Sequence, residues 1–397
     1  MDGGHLMSAP TASIRDVLES AGSRPGSGDW GDLGFVPALE LLLQSCRETA
    51  ELTPAGCHVL DRIVRRHLRN RLALREHLRH SPMPVTPPLA PIVIVGLPRT
   101  GTTVLHNLLA QDREHRTLRL WEALRPGAAA AADDPDRRHL IDQAHSWLQR
   151  SYQVAPDLPA VHPLTAEGPE ECDTLLQNSF ASQHFDDMFN AERYSGWFAT
   201  ADLDGEYRYY ATQLAVLAAP DPGTEQWVLK SPSHLGHLDA LLEVLPGAVI
   251  LWCHRDPRQA VASYASLIRS VRSPHTERFD PLLAGAQAVQ RCSLAMRRAM
   301  ATREPATRET AAGGRFIDVS YDRLVRDPLG AVAGIYDRMG WSLRRNTRAR
   351  MQRWLAGNPQ HRFGEHRYGP AEFGLREEQL TEEFAGYLDR FAALVGR

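Results

Sequence analysis

Hydrophobic and polar positions along the chain alternate between short apolar runs and longer segments with helical spacing. Residues 248–253 form a fully apolar run, which is typical of a strand buried on both faces of a parallel sheet. Runs at 92–96, 227–229 and 316–319 predict further strands, and a segment with helical spacing follows each of them. Repeated alternation of strand and helix predicts an α/β fold with a parallel sheet.

The N-terminal part of the chain has a different pattern. Residues 1 to about 30 are rich in Gly, Ser and Pro and are predicted to be poorly ordered. Apolar spacing predicts a helix at 36–43 and, from an N-cap at Thr53, a long helix through Arg79. We interpret the arginines of this helix as a solvated face above a buried apolar stripe, rather than as a surface for an anionic partner. They are Arg62, Arg65, Arg66, Arg69, Arg71, Arg75 and Arg79.

Composition and charge narrow the possible function. The chain has 397 residues, of which 43% are hydrophobic, enough for a sizeable core. The formal net charge of −3 argues against nucleic acid as the main partner. No apolar run in the sequence approaches the length of a membrane span. The five cysteines are scattered without metal-ligand spacing, which predicts reduced thiols in a cytoplasmic protein that binds no metal.

A glycine-containing loop separates the run at 92–96 from the helical pattern that follows it. The N–H groups of such a loop and of the helix N-terminus converge on one point, where the helix dipole adds about half a positive charge. This arrangement predicts an anion cradle. Its candidate residues are Arg99, Thr100, Gly101, Thr102 and Thr103.

The cradle departs from the P-loop pattern G-x-x-x-x-G-K-[ST] at one position. Gly96 and Gly101 occupy the glycine positions and Thr103 the hydroxyl position, but Thr102 stands where the lysine is expected. That lysine reaches the β- and γ-phosphates in enzymes that use ATP or GTP. Its absence favours an anionic ligand with a shorter phosphate chain, which Arg99 is placed to meet.

A second candidate anion site follows the run at 248–253. Arg255 falls at the end of this predicted strand, where ligands bind in open α/β sheets. Asp256 is interpreted as the N-cap of the next helix, with Pro257 at its first position. Ser263 lies two turns along that helix, so that Arg255 and Ser263 can converge on one phosphate.

The segment Pro-Arg-Thr-Gly-Thr-Thr at 98–103 resembles the 5′-phosphosulfate loop of sulfotransferases that use 3′-phosphoadenosine 5′-phosphosulfate (PAPS). Cytosolic members of that family carry Pro-Lys-Ser-Gly-Thr-Thr, and tyrosylprotein members carry Pro-Arg-Ser-Gly-Thr-Thr. The order and spacing of Arg255 and Ser263 match the family's 3′-phosphate site. Two phosphate sites distinguish enzymes that use PAPS from enzymes that use ATP.

Two further segments are similar to nucleotide-binding parts of the same family. The segment Tyr321-Asp322-Arg323-Leu324 resembles a Tyr-Glu-x-Leu segment that lies beside the nucleotide. Arg362 and Gly364 belong to a stretch that resembles the basic C-terminal loop closing over the cofactor, although the Arg-Lys-Gly form of the cytosolic enzymes is absent.

Sulfuryl transfer to a hydroxyl group requires a base, and it requires positive charge near the leaving phosphate oxygen. Glu122 follows a predicted strand at 117–121 and resembles in placement the glutamate base of tyrosylprotein sulfotransferases. Lys230 ends the predicted strand at 227–229 and resembles the lysine that steadies the leaving oxygen, a task that Arg99 would share. Cytosolic sulfotransferases use a histidine base, which leaves three alternatives open: His106, His115 and His162.

The resemblance implies a P-loop-NTPase-like three-layer fold with a central parallel sheet and helices on both faces. It implies a sulfotransferase domain at 89–397, preceded by an N-terminal helical extension at 1–88 whose role as lid, homodimer contact or docking element stays open. The implied reaction is a metal-independent, in-line transfer from PAPS to a hydroxyl of a small-molecule, carbohydrate or lipid acceptor, which leaves adenosine 3′,5′-bisphosphate (PAP). Two alternatives are a small-molecule or nucleoside kinase that uses ATP and Mg²⁺, and a nucleotide-binding module without catalytic activity.

Overall fold

The computed structural model describes residues 14–21, 29–80, 87, 90–161, 163–219, 226–309, 315–359 and 369–396. None of the helices in these ranges is long and apolar enough to cross a lipid bilayer.

One parallel sheet lies at the centre of the fold. Its strands are β1 (Ile92–Gly96), β2 (His115–Thr117), β3 (Gln226–Lys230), β4 (Val249–His254) and β5 (Phe316–Ser320). They are hydrogen-bonded in the order β2-β3-β1-β4-β5, so β1 lies between β3 and β4. The predicted α/β fold with a parallel sheet is therefore confirmed, and the carboxyl ends of β3, β1 and β4 lie side by side.

Helices fill the segments between and around the strands. The α-helices are α1 (Ile14–Ala21), α2 (Val36–Thr49), α3 (Pro54–His80), α4 (Thr102–Leu109), α5 (Leu120–Leu124), α6 (Pro126–Ala131), α7 (Asp134–Val154), α8 (Leu158–Val161), α9 (Asp173–Leu176), α10 (Gln183–Phe189), α11 (Glu192–Phe198), α12 (Asp204–Ala218), α13 (Leu238–Val244), α14 (Pro257–Arg272), α15 (Pro281–Glu309), α16 (Tyr321–Arg326), α17 (Pro328–Arg338), α18 (Arg345–Gly357), α19 (Glu377–Glu383) and α20 (Ala385–Arg390). Short 3₁₀ helices lie at Gln177–Ser179, Pro232–His237, Pro370–Phe373 and Ala392–Leu394.

Side chains of the central strands alternate between two apolar layers. Val93 and Val95 of β1 pack in a core that also contains residues of α2 and α3. Ile92 and Ile94 face the opposite layer, where α4 and α17 cover the sheet. This alternation produces the three-layer arrangement that the resemblance implies.

The N-terminal helices share the core of the sheet. Leu39 and Leu42 of α2 and Leu60 and Val64 of α3 are fully buried in the same cluster as the first layer of β1. A boundary between residues 88 and 89 therefore stays a prediction. The structure differs from the prediction of a poorly ordered start at α1, where Val17 is fully buried; residues 1–13 and 22–28 lie outside the described residues.

The strand predicted at 117–121 is wrong for most of its length. Strand β2 ends at Thr117, and α5 begins at Leu120. The Glu122 carboxylate accepts a hydrogen bond from the backbone N–H of Arg119, as the third residue of a helix does in a capping box. Glu122 therefore lies in the first turn of a helix and not at a strand end.

Candidate active site

The loop between β1 and α4 has a conformation that requires glycine at two positions. Gly96 has φ 154° and Gly101 has φ 85°. A Cβ atom on Gly96 would lie 2.7 Å from the carbonyl oxygen of Cys253, and one on Gly101 would lie 3.0 Å from Leu324 Cδ2. The Thr100 hydroxyl donates to the Leu97 carbonyl at 2.7 Å and fixes the loop from within. Thr102 and Thr103 begin α4, which places their N–H groups at the positive end of the helix dipole.

Arg255 and Ser263 meet this loop, although more than 150 residues separate them from it in sequence. Arg255 Nη1 donates to the Arg99 carbonyl oxygen at 2.7 Å, and Arg99 Nε donates to Ser263 Oγ at 3.1 Å. The Arg255 guanidinium lies 4.2 Å from the centre of the Tyr321 ring. Arg255 Nε is buried and has no hydrogen-bond partner among the described residues. A buried donor without a partner is costly, so this group fits a phosphate oxygen of a nucleotide.

Lys230 lies at the end of β3 beneath the loop. It is 2% exposed, and its Nζ lies 3.5 Å from Thr103 Oγ1 and forms an ion pair with Glu171. The segment that carries Glu171 is held across the strand ends, because Cys172 N donates to the Lys230 carbonyl at 2.9 Å. The structure therefore brings Lys230 to the cradle, as expected of a residue that acts there.

Glu170, next to this ion pair, has the features of a proton acceptor. It is 5% exposed. Its Oε1 accepts from Thr174 Oγ1 at 3.2 Å, while its Oε2 is buried and has no hydrogen-bond partner in the described part of the chain. Burial and the neighbouring Glu171 carboxylate raise the pKa of Glu170 to about 7. A carboxyl with a pKa near neutrality is suited to general-base catalysis at neutral pH.

The sequence analysis did not identify Glu170 and Glu171 as site residues. They lie in the loop before α9, and the available signal was two adjacent carboxylates after Gly168-Pro169. Their backbone is held by remote partners, since Glu170 N donates to the Leu118 carbonyl at 2.8 Å. Only the folded chain brings them next to Lys230.

The structure holds Glu122 differently from the predicted base. Its carboxylate forms two hydrogen bonds with the Arg116 guanidinium, at 2.6 and 3.0 Å, and accepts the Arg119 N–H at 2.9 Å. Both partners of the Arg116–Glu122 pair are buried. This arrangement makes the Glu122 carboxylate a counter-ion and a helix cap.

Of the three histidines that remain alternatives for the base, two lie against backbone carbonyl groups and one lies outside the described residues. His106 Nε2 lies 3.2 Å from the Val228 carbonyl, and burial lowers the pKa of His106 to about 3. His115 Nδ1 lies 2.8 Å from the Leu109 carbonyl. Three predicted site residues lie outside the described residues: His162, Arg362 and Gly364.

One cavity of about 1900 Å³ connects most of these groups. A pocket for a single small ligand is typically about 300–1,000 Å³, so this volume fits a nucleotide and a second molecule together. Among the predicted site residues, Glu122, Thr100 and the buried Lys230 are not part of its lining. The site residues that line it are Arg99, Gly101, Thr102, Thr103, Glu170, Glu171, Arg255, Ser263 and Tyr321.

Helix α3 forms another wall of the same cavity, which corrects the interpretation of its arginines. Arg66 is half-buried, and Arg71 is buried with its guanidinium 3.9 Å from the Phe35 ring centre and 4.2 Å from that of Tyr209. The predicted solvated face is therefore confirmed for the exposed Arg62, Arg69, Arg75 and Arg79, and it is wrong for Arg66 and Arg71. The arginines of α3 that line the cavity are Arg62, Arg65, Arg66 and Arg69.

The segment 180–198 is rich in aromatic residues. Most of them belong to the core, because Phe180, Phe185, Phe189 and Tyr194 have no exposed surface. Phe198 lines the cavity.

Comparisons with known proteins agree with this arrangement. Residues 91–345 match the profile of the sulfotransferase family. The structure is similar to that of sulfotransferase STF9 from Mycobacterium avium, with a TM-score of 0.82, 30% sequence identity, and coverage of 96% of this chain and 97% of that one. It is also similar to sulfotransferase STF1 from Mycobacterium tuberculosis H37Rv, with a TM-score of 0.79, 29% identity, and coverage of 94% and 99%. A search of curated proteins gave no match. Because the family profile spans more than half of the chain, the protein belongs to the sulfotransferase family.

Proposed function

We propose that this protein transfers a sulfuryl group from PAPS to a hydroxyl group of an acceptor. The observation that carries the proposal is the meeting of two anion-binding segments, the β1–α4 loop and the Arg255–Ser263 pair, through hydrogen bonds of Arg99. When bound, PAPS supplies the sulfuryl group, whose bond to the 5′-phosphate oxygen breaks as the acceptor oxygen bonds to sulfur. The products are a sulfated acceptor, PAP and one proton.

The chain offers separate groups for the two ends of the nucleotide. We assign the 5′-phosphosulfate to the backbone N–H groups from Thr100 to Thr103, including Gly101 and Thr102, together with the Arg99 side chain. The 3′-phosphate is assigned to Arg255 and Ser263, with Tyr321 alongside. Arg255 stays fixed against the Tyr321 ring and the Arg99 carbonyl, which leaves its unpartnered Nε for the ligand. Arg362 and Gly364 stay candidate cofactor contacts.

The groups at the reacting centre have complementary roles. Lys230 supplies positive charge next to Thr103 and stabilises the phosphate oxygen that becomes negative as the bond to sulfur breaks. Glu171 holds the Lys230 ammonium by its ion pair. Glu170 is proposed as the base that takes the proton from the acceptor hydroxyl, because it lines the cavity beside this pair. The assignment of Glu122 as the base stays a competing hypothesis, which the same variants test.

The acceptor class proposed from the family is a hydroxyl-bearing small molecule, carbohydrate or lipid. A cytoplasmic location and a homodimer stay predictions from the sequence. The family match favours sulfuryl transfer over the kinase alternative, and ligand binding distinguishes the two.

Thermal unfolding with PAP, ADP or ATP plus Mg²⁺ tests the proposal. A ligand at 100 times its dissociation constant adds about 2.7 kcal/mol to the free energy of unfolding. An unfolding entropy of about 2.1 cal/mol/K per residue gives this chain roughly 0.8 kcal/mol per degree. PAP should therefore raise the midpoint by about 3 °C, and ADP, which lacks the 3′-phosphate, should raise it much less at equal concentration.

Two variants show whether Arg255 is responsible for that difference. Arg255→Ala should remove most of the advantage of PAP over ADP, because a hydrogen bond to a charged group is worth about 1.5–3 kcal/mol. Arg258→Ala is the matched control, since Arg258 lies three residues further along, in the first turn of α14, and pairs with Asp256 and Glu377. Equal shifts from PAP and ADP would contradict the 3′-phosphate site, and a larger shift from ATP plus Mg²⁺ would support a kinase.

A further inference from the structure

A row of arginines on α3 opens onto the cavity. Arg62, Arg66 and Arg69 occupy positions i, i+4 and i+7 of the helix, so their side chains share one face, and all three line the cavity. None of the three has an ion pair with a carboxylate among the described residues. Like charges at this spacing destabilise a helix. The row is therefore a cost to folding that a function of the helix face would explain.

Arg66 is the most informative member of the row. Its Nε is buried and has no hydrogen-bond partner among the described residues, and its Nη2 lies 3.2 Å from Nε2 of His67. His67 is not a counter-ion, because an imidazole carries no negative charge, and burial holds its pKa well below the usual value and so keeps the ring neutral. Burial and the nearby Arg62 lower the pKa of Arg66 to about 10, so the guanidinium is still charged at neutral pH. A partly desolvated charge that forms no ion pair is unfavourable, and an anionic ligand group would compensate it.

The position of Arg66 links this row to the reacting centre. The Glu170 carboxyl interacts electrostatically with Lys230 and also with Arg66. Arg66 therefore lies near Glu170, and both residues line the same cavity. An acceptor whose hydroxyl reaches Glu170 would extend towards α3.

Part of the cavity wall next to Arg66 is apolar. The Arg66 guanidinium lies 5.9 Å from the ring centre of Trp147 on α7. Trp147 packs against a cluster that includes Trp121, Leu124 and Leu140, and all four residues line the cavity. The surroundings thus suit a molecule with a hydroxyl at one end, an apolar body and a negative group at the other end.

We propose that Arg62, Arg66 and Arg69 form an anion subsite and that the acceptor carries a carboxylate or phosphate group in addition to its hydroxyl. The role of the hydroxyl rests on the proposed sulfuryl transfer. The binding of the anion does not, because it depends only on α3 and the cavity. A solvated helix face is the competing explanation, and it predicts no preference for anionic molecules.

Matched pairs of hydroxyl compounds test the subsite. The pairs are 12-hydroxydodecanoate with 1,12-dodecanediol, 4-hydroxyphenylacetate with 2-(4-hydroxyphenyl)ethanol, and glucose 6-phosphate with glucose. Each is titrated by calorimetry into protein saturated with PAP, which blocks the nucleotide loop as an alternative anion site. At least one anionic member should bind about 10–100-fold more tightly than its neutral partner, as expected for a hydrogen-bonded charge. The pair that shows the effect distinguishes a carboxylate from a phosphate.

Variants of α3 connect the preference to the named residues. Arg66→Met and Arg62→Gln should each reduce the ratio of anionic to neutral affinity by about tenfold. Arg79→Gln is the control, because Arg79 lies on the same helix, pairs with Asp29 and is not part of the cavity lining. Equal affinities in all three pairs, or a preference that survives both cavity variants, would overturn the proposal.

The unfolding midpoint of Arg66→Met adds a second measurement. If Arg66 had only a structural role, its replacement should lower the midpoint. Arg66→Met removes a half-buried charge that forms no ion pair and should keep or raise the midpoint; a marked fall would contradict the argument. Failure of PAP to bind would refute the proposed function, and the titrations repeated without nucleotide would then still decide the subsite.

Discussion

Glu170→Gln should make the protein more stable above neutral pH and should lower its turnover of PAPS. In the folded protein the carboxyl has a pKa of about 7, against an ordinary value of 4.5. The folded state therefore binds more protons than the unfolded state between these values, and the free energy of unfolding falls as the pH rises through this window. Glutamine is neutral throughout, so the variant should lack this loss.

The size of the effect follows from the pKa shift. One pKa unit corresponds to about 1.4 kcal/mol, so a shift of roughly 2.5 units removes on the order of 3 kcal/mol from the wild type above pH 7. At pH 5 most of this loss has not yet occurred. The free energy of unfolding of Glu170→Gln, relative to that of the wild type, should therefore rise by about 2–3 kcal/mol between pH 5 and pH 8. For a chain of this length, this corresponds to about 3 °C in the unfolding midpoint.

Thermal unfolding of both proteins at pH 5 and pH 8 measures this difference. Glu167→Gln, an exposed neighbour, is the control and should follow the wild type at both values. Turnover of PAPS, measured as release of PAP with 2-naphthol as acceptor, should rise in the wild type as the pH passes about 7, because the base must be unprotonated. In Glu170→Gln it should fall about 10²–10⁴-fold. If the difference in unfolding midpoint between the variant and the wild type did not depend on pH, the raised pKa of Glu170 would be refuted. Normal turnover by the variant would refute the role of Glu170 as the base.

The fold was predictable because its signals are local. The run at 248–253 needed only its own residues to indicate a strand buried on both faces, and it became β4 (Val249–His254). The N-cap at Asp256 likewise depends on neighbours in sequence, and its side chain accepts the Arg258 N–H at 2.9 Å. Such features follow from periodicity and capping preferences. The turn between β2 and α5 was missed because apolar alternation does not decide it: Glu122 caps the helix, and the backbone N–H groups of Leu120 and Trp121 donate to the carbonyl groups of Gly168 and Ala166.

The candidate site was predictable only where its residues are tied to a strand end. Arg255 and Lys230 both follow apolar runs, and a parallel sheet brings such positions to one edge. The state of a carboxylate, by contrast, depends on partners that no local pattern identifies. The Glu122 carboxylate forms an ion pair with Arg116, whereas Glu170 lies near Lys230, which is 60 residues away in sequence. For the same reason, the exposure of the α3 arginines could not be predicted without knowing where α7 packs, since Trp147 of α7 lies next to Arg66.

Three further variants test a residue of the reacting centre, a glycine of the β1–α4 loop and a residue of a buried ion pair. Lys230→Met should lower PAPS turnover about 10²–10³-fold with PAP affinity nearly unchanged; normal turnover would exclude Lys230 from the reaction. Gly101→Ala places a Cβ 3.0 Å from Leu324 Cδ2 at φ 85° and should cost about 1–2 kcal/mol of stability, so an unchanged midpoint would contradict the strained loop. Glu122→Gln breaks the buried pair with Arg116 and should cost about 3–5 kcal/mol of stability. Because its carboxylate is a counter-ion, turnover by the folded variant at low temperature should stay near that of the wild type. A large loss of turnover with an unchanged unfolding midpoint would instead make Glu122 the base and remove that role from Glu170.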